Sequence, residues 1–321
     1  MLRLTRLTRV AGIGAASAAL TLLASAPAVS VAPPLSDPHV VKHFDFNAGQ
    51  TAENLVLEPD GSADVTFAVS RQVARVGLDG HTDILAELPA PAVASTPKIG
   101  FAAVTGIARA GDGTLYVNYA TGDKLTGIWR IVPGGTPEQI AALPPTGLPN
   151  GLTLDRRHGL LYSADSELGT VWRVPVHGGA PTAWATGTEL EPLTFIGANG
   201  IRNHNGAIWV ANSDRGTVLR IPICPDGSAA PIETRATGLD GIDDFGFTGH
   251  RDDLFAALNA PNEVDFVTSD GAHSVVLTQQ DGLADPTSVA VRGDRVYVTS
   301  ASFPTTVKDP NLLLAHFERH W

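Results

Sequence analysis

The sequence has 321 residues, a formal charge of −11 and 43% apolar side chains, enough for one large domain or two ordinary ones with a sizeable core. No cluster of Lys and Arg stands out, which argues against a nucleic-acid partner, whose phosphates need one. The 33 glycines and 23 prolines suit a chain of many short strands and turns.

Residues 1–32 read as an export signal. Arg3, Arg6 and Arg9 give a basic start without acids, and an apolar run of residues 10–23 follows. Small residues at Ala24-Ser25-Ala26 and Ala28-Val29-Ser30 offer two cleavage sites, with Pro27 disfavouring the first. The apolar run is short for a membrane span, and no second run is long enough to cross a bilayer. The expected product is a secreted protein of residues 33–321 without a membrane anchor. Its single cysteine, Cys224, has no intramolecular partner and precedes the turn Pro225-Asp226-Gly227.

One pattern then recurs six times, at residues 53–69, 105–120, 150–166, 199–213, 243–259 and 287–302. Successive copies start 52, 45, 49, 44 and 44 residues apart, the period of a four-stranded propeller blade. Each copy opens on a polar residue and continues as an alternating apolar strand. A tight turn follows, such as Asp60-Gly61, Asp112-Gly113, His158-Gly159 or Asn205-Gly206. A second strand carries β-branched and aromatic residues, such as Ile208-Trp209-Val210. Third-strand segments recur at residues 127–135, 170–179, 217–227 and 263–271, and fourth strands are weaker. After the sixth hairpin only residues 311–317 remain as a third strand, so residues 40–46 are expected to supply the missing outer one. The sequence therefore predicts an all-β, six-bladed β-propeller whose N-terminal strand closes the last blade and removes two exposed edges.

In a propeller the first strand of each blade lines the central channel. The six starting residues are Glu53, Thr105, Asn150, Asn199, Asp243 and Thr287. Two carboxylates and two amides from different blades would then point to one mouth. Oxygen donors without paired Cys or His suit Ca²⁺ better than Zn²⁺. In the fifth blade, Asp240 competes with Asp243 as the start. Asn150 lies 11 residues before Leu161, Asp243 lies 11 before Leu254 and Asp240 lies 14 before it, so Asp243 has the better register. Asp244 follows and could also reach the ion. The expected metal ligands are Glu53, Asn150, Asn199 and Asp243, and the expected catalytic residues are Asp243 and Asp244. Residues 88–104 and 188–198 are expected to form loops over the mouth. His158, His204 and His250 fall on or beside hairpin turns at the far rim. Trp129, Trp172, Trp184 and Trp209 are expected to pack between blades.

The hairpins, the Glu53-Asn54 start, the two Asn-Gly starts and the acidic fifth start resemble the gluconolactonase/senescence-marker-protein/luciferin-regenerating-enzyme family. The resemblance spans nearly all of the chain after the signal and extends to the paraoxonases. It implies a six-bladed propeller with a central divalent ion, usually Ca²⁺, and hydrolysis of a lactone or ester. It implies ion-ligand roles for Glu53, Asn150 and Asp243, and a paraoxonase-like ligand role for Asn199. Asp243-Asp244 resembles the paraoxonase Asp-Asn pair. Two features depart from these patterns. Residues 98–107 hold neither the Arg nor the Asn with which gluconolactonases bind a sugar, and no His stands at a strand start. The reading that follows is a secreted calcium-dependent hydrolase of a small-molecule lactone or ester, with an Asp general base. Two alternatives remain: a non-catalytic binding propeller with a structural calcium, and a lyase like the strictosidine-synthase-like relatives.

Overall fold

The computed structural model describes residues 35–303 and 305–317; the expected export signal lies outside them. Six antiparallel sheets of four strands stand in a ring, which is the expected six-bladed β-propeller. Blades one to five each use four strands consecutive in the chain. In blade six the order from the channel outward is Pro286–Arg292, Arg295–Ser300, Asn311–Phe317 and Leu35–His43. Strand Leu35–His43 pairs antiparallel with Asn311–Phe317, from Leu35 opposite Phe317 to His43 opposite Asn311. This closes the ring with the N-terminal segment. The strand begins five residues earlier than expected and ends at His43, before Phe46. Asp37 at φ 49° and Pro38 break the alternation that marks a strand, and only an outermost strand tolerates a proline there.

Apolar packing lies between blades rather than in one central core. Among the described residues there are six hydrophobic clusters, each shared by two neighbouring blades. Tyr162 and Trp184 of blade three, for example, meet Ile201 and Val210 of blade four. Trp129, Trp184 and Trp209 are buried in such clusters, and Trp172 packs against one. No helix among the described residues is long and apolar enough to cross a membrane.

The inner strands are Ala52–Leu57, Ala103–Arg109, Pro149–Asp155, Ala198–His204, Ile242–Phe247 and Pro286–Arg292. Each begins with a break in its pairing to the second strand. The residues left in those gaps include Glu53, Thr105, Asn150, Asn199, Asp243 and Thr287. A bulge of this kind frees a residue from the ladder and re-aims its side chain.

Hydrogen bonds from the preceding blade hold five of these bulges. Thr105 Oγ1 donates to the Pro149 carbonyl at 2.9 Å, Ser166 Oγ to Ala198 at 2.7 Å and Ser213 Oγ to Ile242 at 2.5 Å. Asn259 Nδ2 donates to Pro286 at 2.6 Å and Thr287 Oγ1 to Ala52 at 2.8 Å. Each accepting carbonyl belongs to the residue just before a mouth residue.

The next position explains the Asn-Gly pairs. A Cβ on Gly106 would sit 2.3 Å from the Asn150 carbonyl oxygen, and one on Gly151 would sit 2.4 Å from that of Asn199. The glycines let neighbouring inner strands touch and are not turn residues. Gly151→Ala should therefore lower the unfolding free energy by about 2 kcal/mol. Urea denaturation followed by circular dichroism checks this, and an unchanged midpoint would remove the close approach as a constraint.

Candidate functional site

Glu53, Asn150, Asn199 and Asp243 line one cavity of about 380 Å³ at the mouth where the inner strands begin. The bulges of four blades thus bring the four sequence-derived ligands together. Asp240 lies at a different surface depression, beside Leu258 and His273.

The four side chains are held unequally. Asn199 Nδ2 donates to Asp243 Oδ1 at 2.7 Å and to Ser213 Oγ at 3.0 Å, and no hydrogen bond among the described residues occupies its own side-chain oxygen. Asn259 also bonds the Asp243 carboxylate. The Glu53 carboxylate and the Asn150 amide have no hydrogen-bond or salt-bridge partner among the described residues. The backbone beneath Asn150 is fixed instead: Asn118 Nδ2 donates to its carbonyl at 2.7 Å and to that of Gly151 at 3.0 Å.

Burial and crowding perturb the acids. The Glu53 pKa is pushed up to about 8, first by burial and then by the charges of Asp285 and Asp244. Burial, followed by Glu53, Asp244 and Asp285, raises Asp243 well above the carboxylate range. Asp285 rises to about 6, mainly through burial. Like charges held close in a dry site disfavour ionisation. A divalent cation would reverse that, because it lets both cavity carboxylates ionise.

Asp244 points elsewhere and does not line the cavity. Its Oδ2 pairs with Arg202, accepts from Ser288 Oγ at 2.6 Å and accepts from Asn54 Nδ2 at 3.2 Å. Asn54, Asp244 and Ser288 occupy the same position of blades one, five and six that glycine holds in blades two to four. The three side chains fill the channel below the mouth with a polar cluster around the Arg202 guanidinium.

The fit to an ion rests on chemistry visible at the cavity. Two repelling carboxylates, one free amide and one amide oxygen face the same space, each on a separate blade. All are hard oxygen donors, as Ca²⁺ prefers. No group of three or more His, Cys, Asp or Glu suited to a metal occurs among the described residues, so the set depends on its two amides.

Apart from Thr105 and Asn259, most of the remaining wall is apolar. Ile99, Phe101, Leu148, Phe195, Ile196 and Phe303 line it, with Lys98 as a cation at the edge. Both loops expected over the mouth contribute. Asp214 accepts from the backbone nitrogens of Leu193, Thr194 and Phe195 at 2.6–2.8 Å, which fixes the Phe195 loop. Asp285 Oδ2 accepts from Phe303 N at 3.0 Å, which fixes the other aromatic. Sequence reading missed Asn118, Asn259 and Asp285. Asp285 does stand immediately before the sixth inner strand, and the Asp285-Pro286 dipeptide was the available signal.

The expected rim histidines sit at the other end of the blades, bonded to acids: His158 to Asp155 at 2.7 Å and His250 to Asp253 at 2.8 Å. His204 Nε2 lies 3.2 Å from Asp252.

Solved structures with this fold include a gluconolactonase from Xanthomonas campestris, with TM-score 0.66 and 16% identity over 89% of this chain and 92% of that one. A calcium-binding regucalcin from Agrobacterium tumefaciens has TM-score 0.63 and 17% identity, covering 89% and 96%. A catalytically inactive His-to-Ala variant of virginiamycin B lyase from Staphylococcus aureus has TM-score 0.60 and 18% identity, covering 84% and 82%. At these identities the likeness is one of fold. No family profile and no curated protein matches the sequence.

The raised acids set a pH dependence. With no cation bound, Glu53 is protonated in both the folded and the unfolded chain below its ordinary value of 4.5, so its burial carries no ionisation cost there, and the cost grows until pH reaches about 8. The metal-free protein should lose thermal stability as pH rises through that window. The stabilisation given by added Ca²⁺ should grow over the same range. Melting temperatures at pH 5 and pH 8, with and without Ca²⁺, check both; a Ca²⁺ effect equal at the two pH values would contradict it.

Proposed function

We propose that the protein is an exported, divalent-cation-dependent hydrolase of a lactone or carboxylic ester with an apolar body. One observation carries the reading. The unpartnered Glu53 carboxylate and Asn150 amide converge with Asn199 and Asp243 in a cavity whose other walls, apart from Lys98, Thr105 and Asn259, are aliphatic and aromatic. Export is inferred from the basic start and short apolar run of residues 1–32.

Glu53, Asn150, Asn199 and Asp243 would hold the ion. When bound, Ca²⁺ supplies Lewis-acid polarisation of a substrate carbonyl. The residues of the chain do the rest. Phe101, Phe195 and Phe303 hold the apolar part of the substrate and exclude water around the ester. Lys98 faces the open edge, where a polar substituent would lie. Asp243, oriented by Asn199 and Asn259, is the group placed to take a proton from the attacking water. Asp244 is committed to Arg202 and Ser288, so its part is to keep negative charge beneath the site. The scarcity of polar side chains on the wall favours acyl or aryl substrates over sugar lactones.

The binding-module alternative shares the same ion and differs only in turnover. A lyase reading has less support: the lyase variant noted above is inactive once one histidine is replaced, and no histidine lines this cavity. A panel of aliphatic lactones, aryl esters and gluconolactone, assayed with Ca²⁺ and after EDTA, separates the readings. The expected result is turnover of apolar members that EDTA abolishes. Asp243→Asn should lower kcat by about 100-fold or more while the fold persists. Full activity in EDTA would rule out the cation. Ca²⁺ binding without turnover of any member would leave the binding module.

A further inference from the structure

The channel has a second mouth, and its chemistry is opposite to that of the first. At the turn ends of the inner strands a cavity of about 370 Å³ is lined by residues of all six blades. Its charged lining consists of Arg109, Arg156 and Arg202, with His204 beside them and no Asp or Glu. This occurs in a chain with 33 acidic and 22 basic residues. The mouth at the strand starts has Glu53 and Asp243 against one lysine. The lining of one mouth is therefore acidic and that of the other cationic, with Glu58 and Asp244 behind the second pairing with Arg109 and Arg202.

Arg109 and Arg202 are held in place, and donor capacity remains on the exposed Arg156. Arg202 Nη1 donates to the Ile201 carbonyl at 2.9 Å, and its Nη2 pairs with Asp244 on the channel side. Arg109 Nη2 pairs with Glu58 at 2.6 Å and its Nη1 donates to the Ala110 carbonyl at 2.9 Å. Arg156 Nη2 donates to the Arg109 carbonyl at 3.0 Å, and Arg156 forms no salt bridge among the described residues. His204 stacks on Phe247 with 3.8 Å between ring centroids. Between these groups the walls are aliphatic, from Leu57, Ile107, Leu154, Val289 and Val291.

We propose that this far mouth is a binding site for a small organic carboxylate with an apolar body. A guanidinium fork matches a carboxylate in geometry and charge. The aliphatic ring around it would bury the ligand's hydrocarbon, and the volume falls in the range of small-molecule sites. A bare inorganic anion would leave those apolar walls uncovered. The site stands whether or not a cation binds at the opposite mouth, because none of its lining residues belongs to that cavity.

Isothermal titration of the purified chain with octanoate tests this, with octanol and inorganic phosphate as probes of the two halves of the ligand. Trp209 lies 5.1 Å from Phe247, so its fluorescence reports on the same mouth. One octanoate per chain is expected, with octanol and phosphate each at least about tenfold weaker. Arg156→Glu is an exposed change that leaves the packing intact, and it should weaken octanoate by about tenfold or more. Phe195→Ala at the opposite mouth should leave the affinity unchanged, and so should saturating Ca²⁺. Octanoate affinity that is insensitive to Arg156→Glu would overturn the proposal, as would loss of binding in Phe195→Ala. Phosphate bound as tightly as octanoate would overturn the apolar half of it.

Discussion

The bulge at the start of every inner strand, pinned in five of the six by a hydrogen bond from the blade before it, is the constraint on which the site depends. A regular strand would alternate its side chains between the two faces of the blade, where neighbouring blades pack. The broken pairing turns one residue per blade toward the mouth instead. Ser166, Ser213, Asn259, Thr105 and Thr287 each bond the carbonyl just before a mouth residue, so the position of one side chain is set by the adjacent blade. A local change at one bulge is thereby felt at the next.

That geometry concentrates charge. Glu53 and Asp243 share a buried space, with Asp244 and Asp285 close enough to raise them further. Burying carboxylates together is unfavourable unless something compensates. Arg202 compensates Asp244 from below, and nothing among the described residues compensates Glu53. The imbalance is concentrated where two amide groups also face the cavity, which suits a site prepared for a cation. The same arginine ends the acidic half of the channel and begins the basic half.

Much of the architecture was legible because a propeller repeats its grammar. Turn pairs such as Asp60-Gly61 and Asn205-Gly206, spaced by blade, give the count and the register, and register alone separates Asp243 from Asp240. Residues that act across blades carry no such local mark. Asn118 and Asn259 look like ordinary second-strand and loop amides until the neighbouring inner strand is in place. Gly151 stands at a strand start in sequence, and only the structure shows that it lets the Asn199 backbone approach. Asp244 looks interchangeable with Asp243 in sequence, yet alternation along the strand sends the two carboxylates to different partners. The outermost strand was placed late because Asp37 and Pro38 interrupt its pattern.

The central claim is that four blades present one cation site. Anomalous diffraction from crystals grown with Ca²⁺ tests it most directly. The account predicts a single peak with oxygens of Glu53, Asn150, Asn199 and Asp243 about 2.3–2.6 Å away. A peak elsewhere, or no peak at millimolar Ca²⁺, would contradict it.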